Sequence, residues 1–176
     1  KDEKYYFDKD AVHKLDELFA TCAKEKIVVS ARILSEYDKD FAELYYEKAK
    51  VNINTKYYAI NTSKEYGANT LEAFVAFFTE RYNGTDEQGR LISNWILGSN
   101  VNENLSMNFM GELDINTYVE EYARSFRIVY NTAKTKNASV NVYVPISNRW
   151  GYKSNKLSYG GRDFFNAFND EIVIEG

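Results

Sequence analysis

Apolar residues recur every three or four positions in several parts of the chain, and this spacing predicts amphipathic helices. Residues 10–25 show it first, because most of their apolar side chains fall on one stripe. The same spacing predicts a short helix over residues 37–49 and longer helices over residues 69–82 and 117–134. A Gly-Gly pair opens residues 160–169 and predicts the entry into a last short helix. Strands are therefore expected in the segments between these helices.

Short apolar runs, rich in β-branched residues, predict these strands. They span residues 27–34, 57–61, 91–98 and 140–146, and the run "EIVIEG" from Glu171 predicts the opening of one more strand. Strands that alternate with helices indicate parallel βα units, so the predicted fold class is α/β, in one domain. Two architectures fit this order. Because a complete (β/α)₈ barrel takes about 250 residues, the 176 residues of the chain suit a partial barrel of about half that fold, or a doubly wound open sheet.

Composition and charge exclude several classes of function. The net charge is -4, so no basic surface indicates a nucleic-acid partner. One histidine and one cysteine, His13 and Cys22, are too few for a zinc site, and their places on a helix do not suit a Cys-His nucleophile. Gly160 and Gly161 lack the spacing of a phosphate-binding loop. The sequence therefore predicts no metal and no cofactor.

Two locations are compatible with the chain. No apolar run approaches the ~18 residues that a membrane span requires, and the first residues do not form a signal peptide. The protein is then cytoplasmic, or the chain is a piece of a longer secreted protein.

Polar residues follow three of the predicted strands. Asn61 and Thr62 end the second strand, residues 99–103 end the third, and residues 147–150 end the fourth. Because the carboxyl ends of parallel strands converge, these groups are expected to surround one pocket. The alternative is that Asn and Ser only cap the loops that follow the strands.

Several longer runs carry a resemblance to a known group of proteins. They are "YYAINTSKEYGANTLEAFVAFFTERYN", "SNWILGSNVN", "YVEEYARSFRIVYNTAK" and "VNVYVPISNRWG". From Tyr57 to Gly176 the chain resembles a bacterial glycosidase-like family of unassigned function, which is similar to the clan of retaining (β/α)₈ glycoside hydrolases. The resemblance implies a partial barrel, a carbohydrate ligand, and an extracellular or cell-surface location as part of a longer bacterial protein.

The same resemblance implies where the catalytic acid/base is expected. The family pattern is Gly-Asn-Glu-Val-Asn, but this chain has Ser99 in place of the Asn and Asn100 in place of the Glu. Asn cannot donate a proton as a general acid near neutral pH. Glu103 is the remaining candidate, although three residues of extended chain span ~10 Å and retaining enzymes hold their two carboxyls only about 5–5.5 Å apart.

The resemblance also implies that the nucleophile lies on a seventh strand. By this alignment the chain stops just before the sixth strand, with "DEIVIEG" as the lead-in to it. The chain alone is therefore predicted not to hydrolyse glycosides.

Candidate sugar-binding residues come from the strand ends. Trp150 and Tyr152 offer rings on which a sugar can stack, and Arg149 offers a guanidinium for a hydroxyl or a uronate carboxylate. The alternatives are that Trp150 only closes its loop and that Arg149 pairs with a neighbouring Glu. The full predicted set is Asn61, Ser99, Asn102, Asn148, Arg149, Trp150 and Tyr152.

Three functions remain open from the sequence. The first is a carbohydrate-binding, glycoside hydrolase-like barrel segment that is inactive alone. The second is a non-catalytic carbohydrate-binding or adhesion module of a bacterial surface protein. The third is a complete doubly wound domain that binds a small ligand. A partial barrel would also have a protein partner, either the rest of its parent chain or a second copy paired across open sheet edges.

Overall fold

The computed structural model describes residues 4–49, 52 and 54–174 of the chain. In these residues helices alternate with three short strands. The elements are α1 (Lys9–Lys24), β1 (Ser30–Ile33), a 3₁₀ helix (Lys39–Leu44), α2 (Glu65–Arg81), β2 (Asn94–Leu97), α3 (Asn104–Met107), α4 (Ile115–Lys136), β3 (Asn141–Tyr143) and α5 (Gly161–Ile174).

The three strands form one parallel sheet in the order β1-β2-β3. Ser30 lies opposite Asn94, and Asn94 lies opposite Asn141. The spatial order follows the chain order, with α2 as the crossover from β1 to β2 and α4 as the crossover from β2 to β3. Right-handed crossovers in this order put both helices on one face of the sheet. α2 packs against α4 and α4 against α5, so the helices form one layer, and the predicted α/β class is confirmed.

The two faces of the sheet have different environments, because successive side chains of a strand point to opposite sides. Ile33, Trp95 and Leu97 are buried on the face that the helices cover. The other face is at least partly exposed, and we call it the open sheet face. It consists of Ser30, Arg32, Asn94, Ile96, Asn141 and Tyr143.

The predicted strand over residues 57–61 is not part of this sheet, which corrects the sequence-based prediction. Tyr58 forms a single parallel bridge with Phe109, and Ile60 forms a single antiparallel bridge with Tyr45. β2 occupies the place beside β1, and the Tyr58 N–H donates to the carbonyl of Ser35, beyond the end of β1. This segment therefore extends past the carboxyl end of β1 instead of adding a strand to the sheet.

The predicted strand opening at the end of the chain is also wrong for the residues that the structure describes. Residues 171–174 continue α5, and residues 175 and 176 lie outside the described part. Phe164 is fully buried on the same helix, so burial of one stripe of α5 stabilises the helical conformation of this short apolar run.

The described helices do not include one that is both long enough and apolar enough to cross a lipid bilayer.

Candidate functional site

The turn after β2 has two residues in the left-handed region of backbone space. Gly98 has φ of 79° and Asn100 has φ of 45°. Glycine adopts such angles without steric cost, and asparagine tolerates them better than most residues. The Glu103 N–H then donates to the Asn100 carbonyl at 2.7 Å, which closes the turn. At the position where the resemblance expects an acid/base, the chain therefore has a residue suited to a tight left-handed turn.

Asn102 is fully buried and joins the two ends of the segment that follows β3. Its Oδ1 accepts a hydrogen bond from the Ser147 N–H at 2.7 Å. Its Nδ2 donates to the Tyr159 carbonyl at 3.0 Å, and its own carbonyl accepts the Tyr159 N–H at 2.9 Å. We call residues 147–159 the β3–α5 loop. We call residues 98–103, the turn after β2, the β2 turn. Its Asn102 side chain joins Ser147 and Tyr159, the first and last residues of the loop, which together form the neck of the loop.

Glu103 lies inside the same loop and is only 4% exposed. Its Oε1 accepts from the Ser147 hydroxyl at 3.1 Å and from the Arg149 guanidinium at 2.8 Å. Its Oε2 accepts from the Ser158 hydroxyl at 3.1 Å and from the Ser154 hydroxyl. The carboxylate is therefore surrounded by one cation and three hydroxyl groups.

The surroundings of Glu103 favour its ionised form. Burial by itself raises the pKa of the carboxyl, but the hydrogen bonds from Ser154, Arg149, Ser147 and Ser158 together outweigh burial, so the pKa of Glu103 falls below its ordinary value. The hydrogen bond and charge of Glu103 in turn raise the pKa of Arg149. A general acid must carry a proton near the operating pH, so this arrangement suits a fixed anion better than a proton donor.

Asn61, another predicted ligand residue, lies in the turn before α2. It is buried, and its Oδ1 accepts from the N–H and the hydroxyl of Ser63 at 3.2 and 2.6 Å. The next residue, Thr62, shares a 2.8 Å hydroxyl contact with Ser125 of α4. These polar groups are used in local turn and packing contacts, the alternative that the sequence left open for them.

The remaining predicted residues divide into two places. Ser99 and Asn100 are partly exposed in the β2 turn, while Asn148 is exposed at the start of the β3–α5 loop. Trp150 is 49% exposed and Tyr152 is 65% exposed on the same loop. The structure therefore brings Asn102, Arg149, Trp150 and Tyr152 onto or against one loop, whereas Asn61 makes its contacts in the turn before α2, outside the sheet.

Trp150 lies next to a second exposed aromatic ring. Its ring centroid lies 6.1 Å from that of Phe165 on α5, and Phe165 is about half exposed. The Arg162 N–H donates to the Trp150 carbonyl at 2.8 Å, which fixes the backbone of Trp150 at the start of α5. The two rings form an exposed aromatic patch, and Tyr152 projects further along the loop.

Sequence patterns did not identify Ser154 and Ser158 as neighbours of Glu103. The two serines are four positions apart in an Asn- and Lys-containing loop, and the Ser154 hydroxyl lies 2.9 Å from that of Ser158. Their approach to Glu103 depends on how the loop folds back, which no local spacing encodes.

No cluster of three or more His, Cys, Asp or Glu side chains that could hold a metal ion occurs in the part of the chain that the structure describes.

Comparison with known proteins gives a family but no activity. No curated protein and no solved structure matches the chain. One family model matches it, described as a family of unknown function, DUF5722. The sequence led us to expect a family of unassigned function, and that part of the expectation is confirmed. Because the model matches residues 1–176, this protein belongs to the DUF5722 family.

Proposed function

We propose that this chain is a carbohydrate-binding segment of a glycoside hydrolase-like (β/α)₈ barrel and that it does not cleave glycosidic bonds by itself. The observation that carries the proposal is the pair of exposed aromatic rings, Trp150 and Tyr152, on a loop anchored at the carboxyl edge of a parallel sheet. Ligands of parallel α/β folds bind at that edge, and flat aromatic rings stack well against the apolar faces of sugars.

The barrel part of the proposal is supported by the order of the strands. In the described residues the three strands run in chain order without a reversal, and the crossover helices form one layer. A doubly wound sheet reverses its strand order at a switch point and has helices on both faces. Alternate side chains of barrel strands point into the barrel, which is the role we assign to the open sheet face.

The absence of catalysis is supported by the two candidate acids. Asn100 has no acidic proton, and Glu103 is ionised and enclosed by four donors. The proposal therefore assigns binding to the β3–α5 loop and no proton transfer to the β2 turn.

Binding is tested on immobilised plant, fungal and host glycans, with the chain and two variants, Trp150→Ala and Tyr152→Ala. We expect the parent chain to bind at least one glycan of the panel. The affinity of Trp150→Ala for that glycan should be lower by about tenfold or more, since aromatic residues contribute much of the binding energy at many binding surfaces. Tyr6→Ala is the matched control, because Tyr6 is 88% exposed but lies before α1. Absence of binding to the whole panel, or equal affinity of the Trp150 and Tyr6 variants, would contradict the proposal.

A second candidate function, a non-catalytic adhesion module, is favoured by the backbone of the β2 turn. Asn100 has φ of 45°, a conformation that a Glu side chain tolerates less well than Asn. The turn therefore suits the Asn that is present better than the Glu that the glycosidase resemblance implies at this position.

The two functions are separated by the double variant Ser99→Asn/Asn100→Glu in a longer chain that includes the later strands. Hydrolysis of chromogenic glycosides by this variant would favour an enzyme scaffold that has lost its acid. An inert variant that retains the glycan affinity of the parent would favour the adhesion module.

A further inference from the structure

The β3–α5 loop returns twice to the same carboxylate. Arg149 contacts Oε1 of Glu103 and Ser154 contacts Oε2, so the four residues between them, 150–153, form a closed bend. Trp150 and Tyr152 both lie in this bend. Ser147 at the start of the loop and Ser158 near its end also contact the carboxylate, each at 3.1 Å.

We propose that Glu103 is a positioning residue whose carboxylate holds the bend of residues 150–153 in place and thereby sets the position of Trp150 and Tyr152. The effect on carbohydrate rests on the proposed function, whereas the effect on the bend does not.

Glu103 and Asn102 act on different parts of the loop. Asn102 joins its ends through Ser147 and Tyr159, and these bonds do not use the side chain of residue 103. The bend itself is exposed on its outer side at Gly151, Tyr152 and Lys153. Its inner side is held by the carboxylate, while α5 holds only the backbone of its first residues, through the bonds from Gly161 to Arg149 and from Arg162 to Trp150. Without Glu103 the neck and these backbone bonds therefore remain, but the Trp150 ring and residues 151–153 are less constrained.

Loss of the carboxylate leaves several groups without an acceptor. Glu103→Gln has nearly the same size, but it is uncharged and keeps only one acceptor oxygen. Its NH2 group therefore replaces the acceptor either opposite Arg149 and Ser147 or opposite Ser154 and Ser158. Removing the acceptor of partly buried donors costs more than the net value of one hydrogen bond. The bend is therefore expected to open more often while the sheet and helices stay folded.

The experiment uses the whole chain and two readouts that need no ligand. Lys153 and Lys156 are exposed trypsin sites in the loop, and cleavage after them is followed by mass spectrometry. Only two tryptophans occur in the chain; Trp95 is 2% exposed, so acrylamide quenching reports mainly on Trp150. In Glu103→Gln we expect about tenfold faster cleavage at Lys153 and Lys156, together with stronger quenching of Trp150. Glu112→Gln, at an exposed residue, is the matched control.

A second variant distinguishes release of the bend from unfolding of the whole chain. Ser154→Ala removes one donor from the bend but leaves Arg149, Ser147 and Ser158 on the carboxylate. It is expected to fold as the parent does, by far-ultraviolet circular dichroism, and to give a smaller increase in cleavage. Cleavage and quenching equal to the parent in both variants would overturn the positioning role.

The glycan assay separates this inference from the proposed function. If Trp150→Ala loses glycan affinity and Glu103→Gln loses it as well, both are supported. If Trp150→Ala and Glu103→Gln both leave binding unchanged while Glu103→Gln accelerates cleavage, the bend is anchored as proposed but the carbohydrate function fails. If Trp150→Ala loses affinity, and Glu103→Gln is cleaved faster but keeps its affinity, the positioning role is overturned and the carbohydrate function stands.

Discussion

Glu103 shows how the surroundings of one residue decide its chemistry. The same side chain would suit an acid/base if it were protonated near neutral pH, but burial here is outweighed by four hydrogen bonds that stabilise the anion. Its pKa in the folded protein is below the ordinary value of 4.5 that we take for the unfolded chain. A carboxyl of this kind stabilises the fold at pH values above the unfolded pKa, and the stabilisation is lost as the pH falls through the folded pKa.

The lowered pKa of Glu103 predicts how stability depends on pH. The difference in unfolding free energy between the parent and Glu103→Gln should be constant from about pH 7 to pH 5 and shrink below about pH 4.5. Urea unfolding at several pH values measures it. Other carboxyls with lowered pKa values, such as Asp16 and Asp114, contribute equally to the unfolding free energy of both proteins, so their contributions cancel in this difference. A difference that grows as the pH falls would mean that Glu103 binds its proton more tightly when folded.

At the residue scale the sequence identified Glu103 but not its environment. The Asn-Glu pair at 102 and 103 is visible in the chain, and so is Arg149 as a candidate partner of a Glu. Ser154 and Ser158 follow Glu103 by about 50 positions, and their approach requires the β3–α5 loop to fold over the β2 turn. Long-range contacts of this kind depend on tertiary packing, which hydrophobic periodicity does not report.

At the scale of elements, helices were predictable where one stripe is buried. Residues 10–25, predicted from their spacing, correspond to α1 at Lys9–Lys24. The apolar run at 57–61 was not predictable in the same way, because a strand needs a partner along its length and this segment forms only single bridges, with Phe109 and Tyr45. The run at 171–174 fits a strand or a buried helix by composition alone, and packing of α5 selects the helix.

The entry into α2 depends on one glycine, which gives a prediction about an element. A Cβ placed on Gly67 would lie 2.1 Å from the carbonyl oxygen of Asn61, so the turn and the helix approach each other too closely for any side chain. Ala usually stabilises a helix by about 1 kcal/mol relative to Gly. We expect the opposite sign for Gly67→Ala, a loss of about 2 kcal/mol or more, as the turn is displaced. Chemical denaturation measures the change.

Asn69→Ala serves as the control for this substitution. Asn69 is partly exposed on the same helix, and Ala has the higher helix propensity, so this variant is expected to be neutral or slightly stabilising. A Gly67→Ala protein as stable as the parent would show that the turn can move away from α2 at little cost.

At the scale of the whole molecule, one face of the sheet has no layer over it in the described residues. The row of this face at the amino ends of the strands is polar. The Asn94 amide donates to the Ser30 hydroxyl at 2.9 Å, and the Asn141 amide donates to Asn94 Oδ1 at 3.2 Å. The second row of this face contains Ile96 and the half-exposed Tyr143. Sequence periodicity predicted parallel βα units, but it could not choose between a sheet covered on both faces and part of a barrel, because that choice depends on what packs against this face.

The barrel proposal predicts self-association of this chain when it is isolated. Open strand edges and a partly apolar face favour pairing with a second copy, so we expect thermal unfolding and sedimentation mass to depend on concentration. The double variant Ile96→Lys/Tyr143→Lys should be monomeric and fold as the parent does, because both side chains lie on the open sheet face and outside the buried core. Leu18→Lys is the control, since Leu18 is 53% exposed on α1 and should leave the association unchanged. A monomeric parent with a sharp, concentration-independent transition would mean that the open sheet face is stable in water, and it would contradict the proposal that this chain is part of a barrel.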